Sequence, residues 1–502
     1  MKIMLTVLLA VLLLLTSLPL TACQNTENTE KTPDSDELTI AKDASSDYVI
    51  VYASELETGD LELLASLDLK NGIRTATGAN ITRNKDEKAD NGKEILVGKT
   101  NRQASKDASA ELLGGEFVIK AVGEKLVICG SNAAITYYAV QYFIQNHLTQ
   151  EGAVVLEKDL NYKGSYDMSV SSTHNKSFVD MGDELLTAFA GKYLEPSGKV
   201  MNTEFWDTAE IMEAFLDAYE QTGKAEYLEY AEDIARLHFG SLSAKTNWLD
   251  NPYNDDIAWA CIAFTRLYNF TNKSNYLTIA KNNFNRMWQR AYTQDLGGGL
   301  WWKDDEKTCK NSCIQCPASI AACLIGKATG DDSYYEKAVT LMKWEVDVLF
   351  NEKTGAVYDS VGLDNSVWEA VFSYNLGTFV GACTLLHEKY GDAKYMDYAA
   401  KAVSYGMTKL ENRNGVLNGE SDGYDGIGFK GILTRWYYRY AVYTNDTEIL
   451  FWLQKNANSA YKNRNSENII WTTWATKTQD KEYDPFGVSS ALALLFNCEP
   501  WW

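Results

Sequence analysis

Between residues 222 and 450 one short signature recurs five times, and it restricts the possible folds more than any other feature of the chain. It is a turn closing on Gly or Asn followed by a large apolar pair: Thr222-Gly223 with Tyr227-Leu228, Thr271-Asn272 with Tyr276-Leu277, Thr329-Gly330 with Tyr334-Tyr335, Tyr390-Gly391 with Tyr395-Met396, and Thr444-Asn445 with Ile449-Leu450. Such a turn ends one helix in the left-handed conformation, a polar residue caps the next, and the apolar pair opens its buried face. Successive copies lie 49, 58, 61 and 54 residues apart, which is room for two helices each. Periodicity predicts twelve helices, starting near residues 176, 206, 226, 254, 274, 314, 332, 372, 393, 427, 446 and 486. Stacked helix pairs form an open superhelix or a closed ring. Six pairs are the number that closes an (α/α)6 toroid. The stretches 290–313, 350–371 and 409–426 are long and rich in Gly, Trp, Asp and Asn, and they alternate with the tight turns. Long loops confined to one rim are expected where that rim carries a site.

The N-terminal part reads differently. Lys2, an apolar run from Ile3 to Leu20 and the small-residue region Thr21-Ala22 form a secretory signal over 1–22. The run Leu20-Thr21-Ala22-Cys23 also resembles a bacterial lipobox, which implies lipidation at Cys23, anchorage to the cell membrane and an extracytoplasmic location. Residues 23–46 are polar enough to read as a flexible tether. From 47 to 164, β-type runs at Tyr48–Tyr52, Glu94–Val97, Glu116–Ile119 and Lys125–Cys129, with a helical stretch over 133–148, predict a small α+β accessory domain. The segments EILVGKTNR and LVICGSNAAITYYAVQYFI resemble the non-catalytic domain that precedes the catalytic barrels of α-glucuronidases and β-hexosaminidases.

Charge and motifs narrow the chemistry. A net charge of −21 opposes nucleic acid, whose binding needs Lys and Arg to replace counterions, so no nucleic-acid partner is expected. Cys309, Cys313 and Cys316 have the C-x3-C-x2-C spacing of radical SAM iron–sulfur sites. Their place in a helical region of an exported chain points instead to a local disulfide or to buried thiols. Gly419 to Gly423 matches G-x-S-x-G, but the strand-to-helix elbow that makes such a Ser nucleophilic is missing from this polar segment. Gly297-Gly298-Gly299 lacks the Lys-Ser/Thr of a phosphate loop. No metal site and no cofactor are expected.

The segment Tyr253-Asn254-Asp255-Asp256-Ile257 opens a predicted helix. Asp and Asn are favoured at helix starts for capping alone. Two carboxyls there can also converge on one substrate, as in a retaining glycosidase, where one stays ionised as nucleophile and the other holds a proton as acid. Helix N–H groups would keep one ionised, and its charge would hold the proton on the other.

The segments NPYNDDIAWACIAFTRLYNFTNKSNYLTIAKNNFNRMW, GGGLWW, KNSCIQCPASIAACLIGKATGD, FSYNLGTFVGAC and DGIGFKGILTRWYYRY are similar in order and spacing to glycoside hydrolase family 76, over roughly 175–500 of an expected toroid domain 175–502. The resemblance implies an (α/α)6 toroid and retaining endo-hydrolysis of α-1,6-mannan, without metal or cofactor. It implies Asp255 as nucleophile and Asp256 as acid/base, with Trp301 and Trp302 flanking the sugar cleft and Tyr374, Asn375, Phe429 and Lys430 as further substrate-binding candidates. It also implies an α-mannan partner for a monomeric enzyme. The alternatives are a glycan-capturing lipoprotein without turnover, a transglycosidase, or an unsaturated-uronyl hydrolase on the same toroid. Cys313 and Cys316 stand where relatives more often carry Asn and Gly, and Ala260-Cys261 where a second Trp is common.

Overall fold

The computed structural model describes residues 37–421 and 423–502; the expected signal and Cys23 lie outside them. The chain divides into two units, one ending at Ser172 and including Pro500–Trp502, the other Thr173–Glu499. The expected 47–164 lies within the first unit, and 175–499 of the expected 175–502 within the second.

In the first unit the strands are β1 (Glu37–Lys42), β2 (Val49–Tyr52), β3 (Thr82–Lys85), β4 (Glu94–Val97), β5 (Glu116–Val122), β6 (Lys125–Gly130), β7 (Ala153–Glu157) and β8 (Asn161–Ser165), and the helices are α1 (Leu61–Thr77), α2 (Gln103–Ser109) and α3 (Ala133–His147). Six strands form one mixed sheet in the order β3-β2-β4-β6-β5-β8, parallel from β3 through β6 and antiparallel beyond. The α+β expectation is met, and β4 and β6 supply its center: Ile95–Val97 and Leu126–Ile128 are buried throughout, as strands covered on both faces must be. One boundary is corrected. Glu37–Lys42, placed within the tether, pairs antiparallel with β7 and buries Leu38, Ile40 and Ala41.

The second unit is the helical one. Its helices are α4 (Phe178–Tyr193), α5 (Phe205–Thr222), α6 (Ala225–His238), α7 (Asn254–Thr271), α8 (Ser274–Ala291), α9 (Ser312–Thr329), α10 (Asp332–Val348), α11 (Ser373–Tyr390), α12 (Lys394–Lys409), α13 (Phe429–Thr444), α14 (Thr447–Lys462) and α15 (Pro485–Phe496). Around the ring α5, α7, α9, α11, α13 and α15 each pack on the next, and α15 returns to α5, so the toroid is closed. The other six form an outer layer. Burial separates the layers: α9 is buried without a break from Ser312 to Cys323, whereas α6 buries only the stripe Tyr227, Ala231, Ile234 and Ala235. Each fully buried Leu or Ile in the inner layer contributes roughly 1.5–3 kcal/mol.

The recurring signature has a physical reason. Gly223, Asn272, Gly330, Gly391 and Asn445 all take positive φ, turning the chain from an inner helix into an outer one. The Tyr that follows then ties adjacent outer helices: the Tyr227 hydroxyl donates to Asp183 and that of Tyr276 to Glu232 at 2.9 Å, while Tyr334 accepts from Asn285 at 2.9 Å.

Because the tight turns all follow inner helices, the long connections all lead into inner-helix N-termini. Six N-termini therefore gather at one rim. Two connections are joined there by β9 (Cys309–Asn311), β10 (Ser360–Gly362) and β11 (Val367–Trp368), a small antiparallel sheet.

Candidate active site

At this rim lies a cleft of about 550 Å³. Trp206 of α5, Asp255, Asp256 and Trp259 of α7, Cys313 of α9, Tyr374 of α11 and Phe429 of α13 all line it from the first two turns of their helices.

The start of α7 is held from behind. The Asn254 N–H donates to the Trp302 carbonyl and its amide to that of Trp301, both at 2.8 Å. Arg290 donates to the Asn254 side chain and to the Leu249 and Asn251 carbonyls at 2.7–2.8 Å. Tyr253 occupies the cap position without a side-chain cap, so neither aspartate is used in capping. Asp255 is partly buried, and its Oδ1 is enclosed without a hydrogen-bond partner among the described residues. Burial pushes its pKa up, while the Cys313 thiol, the Trp302 indole and first-turn backbone amides favour the charged form. Asp256 is pushed up by burial and further by the charge of Asp255, with Asp425 and Glu204 adding to it. The Asn251 amide, donating to Asp256 at 2.7 Å, opposes the rise. Donors gather around the first carboxyl and negative charges around the second, so a proton shared by the pair resides on Asp256.

Three more carboxyls, Glu204, Asp359 and Asp425, line the cleft, and among the described residues no Lys or Arg does. Asp359 and Asp425 are also raised by burial. Among the described residues no group of three or more His, Cys, Asp or Glu is placed to hold a metal ion.

The structure brings together Asp255, Asp256, Trp302 and Tyr374. Trp302 rings against Tyr253 at 5.3 Å, and Tyr374 stacks on Phe429 at 3.8 Å. Three other expected binding residues lie off the cleft wall. Trp301 is 3% exposed and turns the opposite way from Trp302, because neighbours in an extended segment alternate. Its ring receives the Lys310 ammonium at 4.7 Å. That ammonium also donates to the carbonyls of Asp295, Gly298 and Gly299 at 2.7, 2.5 and 3.1 Å, which explains the glycine run: Gly297, Gly298 and Gly299 all take positive φ to curl the loop around it. Asn375 is fully buried behind Asp359. Lys430 lines a separate cavity of about 230 Å³ with Glu420, its ammonium 4.0 Å from the Trp474 ring, and burial lowers its pKa to about 7.

Glu420, within the G-x-S-x-G match, accepts from the Ser373 N–H at 2.7 Å, and the adjoining strand-turn-helix of an elbow is not formed. All eight cysteines of the described residues are free, and Cys313 and Cys316 are buried thiols. Sequence reasoning missed Glu204, Trp206, Asn251, Trp259, Asp359, Trp368 and Asp425. Their shared signal is position, in the first turns of inner helices or in the loops leading to them.

A carboxylate-floored cleft at the inner rim of an (α/α)6 ring, walled by aromatic residues, defines a carbohydrate-active enzyme. The model of glycosyl hydrolase family 76 matches residues 175–498, and the chain belongs to this family of glycoside hydrolases. The GH76A α-1,6-mannanase from Salegentibacter sp. HEL1_6 is 26% identical with a TM-score of 0.59, covering 64% of this chain and 99% of that one. Inactive variants of that enzyme, with two consecutive aspartates replaced, have been solved with α-1,6-mannotetrose and α-1,6-mannotriose. The mannan endo-1,6-α-mannosidase DCW1 of Candida albicans is 27% identical over 253 residues, 44% of this chain and 56% of DCW1. The chain thus spans about half the length of that curated relative.

Proposed function

We propose that the protein is a retaining endo-α-1,6-mannanase. The observation that carries this reading is the consecutive pair Asp255–Asp256, partly buried at one helix start and lining the cleft, with the proton favoured on the second. Supporting it, consecutive aspartates are the residues replaced in the inactive Salegentibacter variants that bind α-1,6-manno-oligosaccharides. The cation-free, carboxyl-lined cleft suits a neutral glycan and opposes an anionic uronate.

In the first step an Asp255 oxygen attacks the anomeric carbon of a mannosyl unit. The bond to the leaving O6 breaks, and that oxygen takes the Asp256 proton. In the second step water gives a proton to Asp256, its oxygen attacks the same carbon, and the ester to Asp255 breaks. Two inversions yield net retention. Trp302, Tyr374 and Phe429 offer apolar ring surface to the sugar.

The remaining expectations complete the proposal. The enzyme is exported, lipid-anchored at Cys23 and monomeric. Its α+β unit, with parallel β2, β3, β4 and β6, is an accessory domain of the α-glucuronidase and hexosaminidase kind. The deciding experiment incubates linear α-1,6-mannan with wild type, Asp255→Asn and Asp256→Asn, with proton NMR of the first-formed anomer and added mannose acceptor. Internal cleavage to an α-anomer by wild type alone is expected. A β-anomer, full activity in either variant, or transfer products in place of hydrolysis would overturn the reading.

A further inference from the structure

The hairpin of β10 and β11 carries an aromatic residue that neither the catalytic pair nor the core accounts for. In its register Ser360 pairs with Trp368 and Val361 with Val367. Directly opposed residues of an antiparallel pair share a face. Val361 is accordingly buried against Trp344 and Leu349, while Ser360 and Trp368 both face the cleft. Yet Trp368 is 59% exposed, whereas Trp206 and Trp259, lining the same cleft, are almost wholly buried.

The exposure is built in. Pairing of β10 with β9, the Ser312 N–H donating to the Asp359 carbonyl at 2.8 Å, and the Asp359 N–H donating to the Trp368 carbonyl at 3.2 Å anchor the hairpin to the start of α9. The ring of Phe372 meets the indole edge-on at 5.8 Å. A fixed, exposed indole over a polar cleft forfeits apolar burial in the free protein and recovers it when a ligand covers the ring. The C–H face of a pyranose has the size and chemistry to do so.

We infer that Trp368 is a stacking platform for a mannosyl unit beyond the two joined by the scissile bond, so that the hairpin sets the length of chain the enzyme grips. The inference rests on the mannanase reading. The catalytic carboxyls sit partly buried on the first turn of α7, whereas Trp368 stands exposed on the hairpin, a different element of the cleft wall, and on that ground the platform is assigned to a sugar other than the one attacked. Contacts remote from the chemistry act on binding in the ground and transition states alike, so the effect belongs in KM rather than in kcat.

The test is calorimetric titration of Asp255→Asn/Asp256→Asn with α-1,6-mannobiose and α-1,6-mannotetraose, with and without Trp368→Ala, beside steady-state kinetics of Trp368→Ala in the otherwise native enzyme. The expected result is an affinity gain from the dimer to the tetramer that Trp368→Ala reduces by about tenfold, matched by a KM penalty that grows with chain length. Trp368→Tyr should restore most of it, and the unfolding midpoint should stay within about 2 °C, because the side chain is exposed. An equal loss at every length, no loss at any length, or a loss that follows destabilisation would overturn the inference. Failure of the parent reading looks different: wild type would then leave α-1,6-mannan uncut, whichever residue occupies position 368.

Discussion

Two clusters of carboxyls sit on the inner helices of the toroid, one fully buried and supplied with arginines, the other partly buried and without them. Inside the ring, Glu210, Glu213 and Asp217 of α5 meet Arg266 of α7 and Arg435 of α13 at 2.6–2.9 Å. Burial alone would raise the pKa of Asp217, but Arg435, Arg266 and Arg439 overcome it and hold the group below the usual carboxylate range. At the rim, Asp255 and Asp256 are only partly buried, among the described residues no guanidinium lines their cleft, and both are pushed up by desolvation. The same residue type is thus a permanent anion in one place and an exchangeable proton site in the other. Asp217 is held down by three guanidiniums, whereas Glu210 of the same cluster, with Arg435 beside it, is still raised to about 7, so the number of arginines at a carboxyl decides the outcome.

The comparison is tested most severely by exchanging Asp for Asn in each cluster. Asp255→Asn should lower kcat on α-1,6-mannan by at least about a thousandfold, since it removes the attacking group, while leaving the fold intact by circular dichroism. Asp217→Asn should do the reverse: it takes one carboxylate from Arg266 and Arg435, which keep Glu213, Glu220 and Glu210, and denaturant titration should show a loss of about 1–3 kcal/mol.

Asp256→Asn sharpens the contrast through pH. A carboxyl whose folded pKa is raised above its unfolded value has its full stability below the unfolded pKa and loses stability as pH rises through the folded one. With Asp256 raised to about 8, that loss spreads from near pH 4 to pH 8. The variant should therefore be more stable than wild type at pH 8, by about 1–3 kcal/mol in thermal or chemical unfolding, and the gap should close at pH 4.

The smallest expected effect comes from Asp425→Asn. Removing a negative neighbour lowers the pKa of Asp256, and since the acid must be protonated to act, the alkaline limb of kcat/KM should move to lower pH by less than about one unit. A shift to higher pH would contradict the assignment of Asp256 as the acid.

Much of the fold was legible because the relevant signals are local. The turns at Gly223, Asn272 and Asn445, and the start of α7 at Asn254, depend on neighbouring residues and on a 3.6-residue period. The edge strand β3, with the polar sequence Thr-Arg-Asn-Lys, and the two-residue β11 carry no period to read. Of the candidate site, Asp255 and Asp256 were legible as adjacent acids at a helix start. Trp301 and Trp302 were legible as a pair but not as individuals, because adjacent residues of an extended segment face opposite ways and only the packing partner, Lys310 for Trp301, selects between them.

The sequence by itself determined the helix-pair period, the two unlike units and the acidic dyad, all short-range properties of the chain. Tertiary structure alone decided that the pairs close into a ring, that six helix starts gather at one rim, and which carboxyls receive an arginine. Those outcomes depend on contacts such as Arg435 with Asp217, 218 residues apart, whose geometry no local pattern encodes.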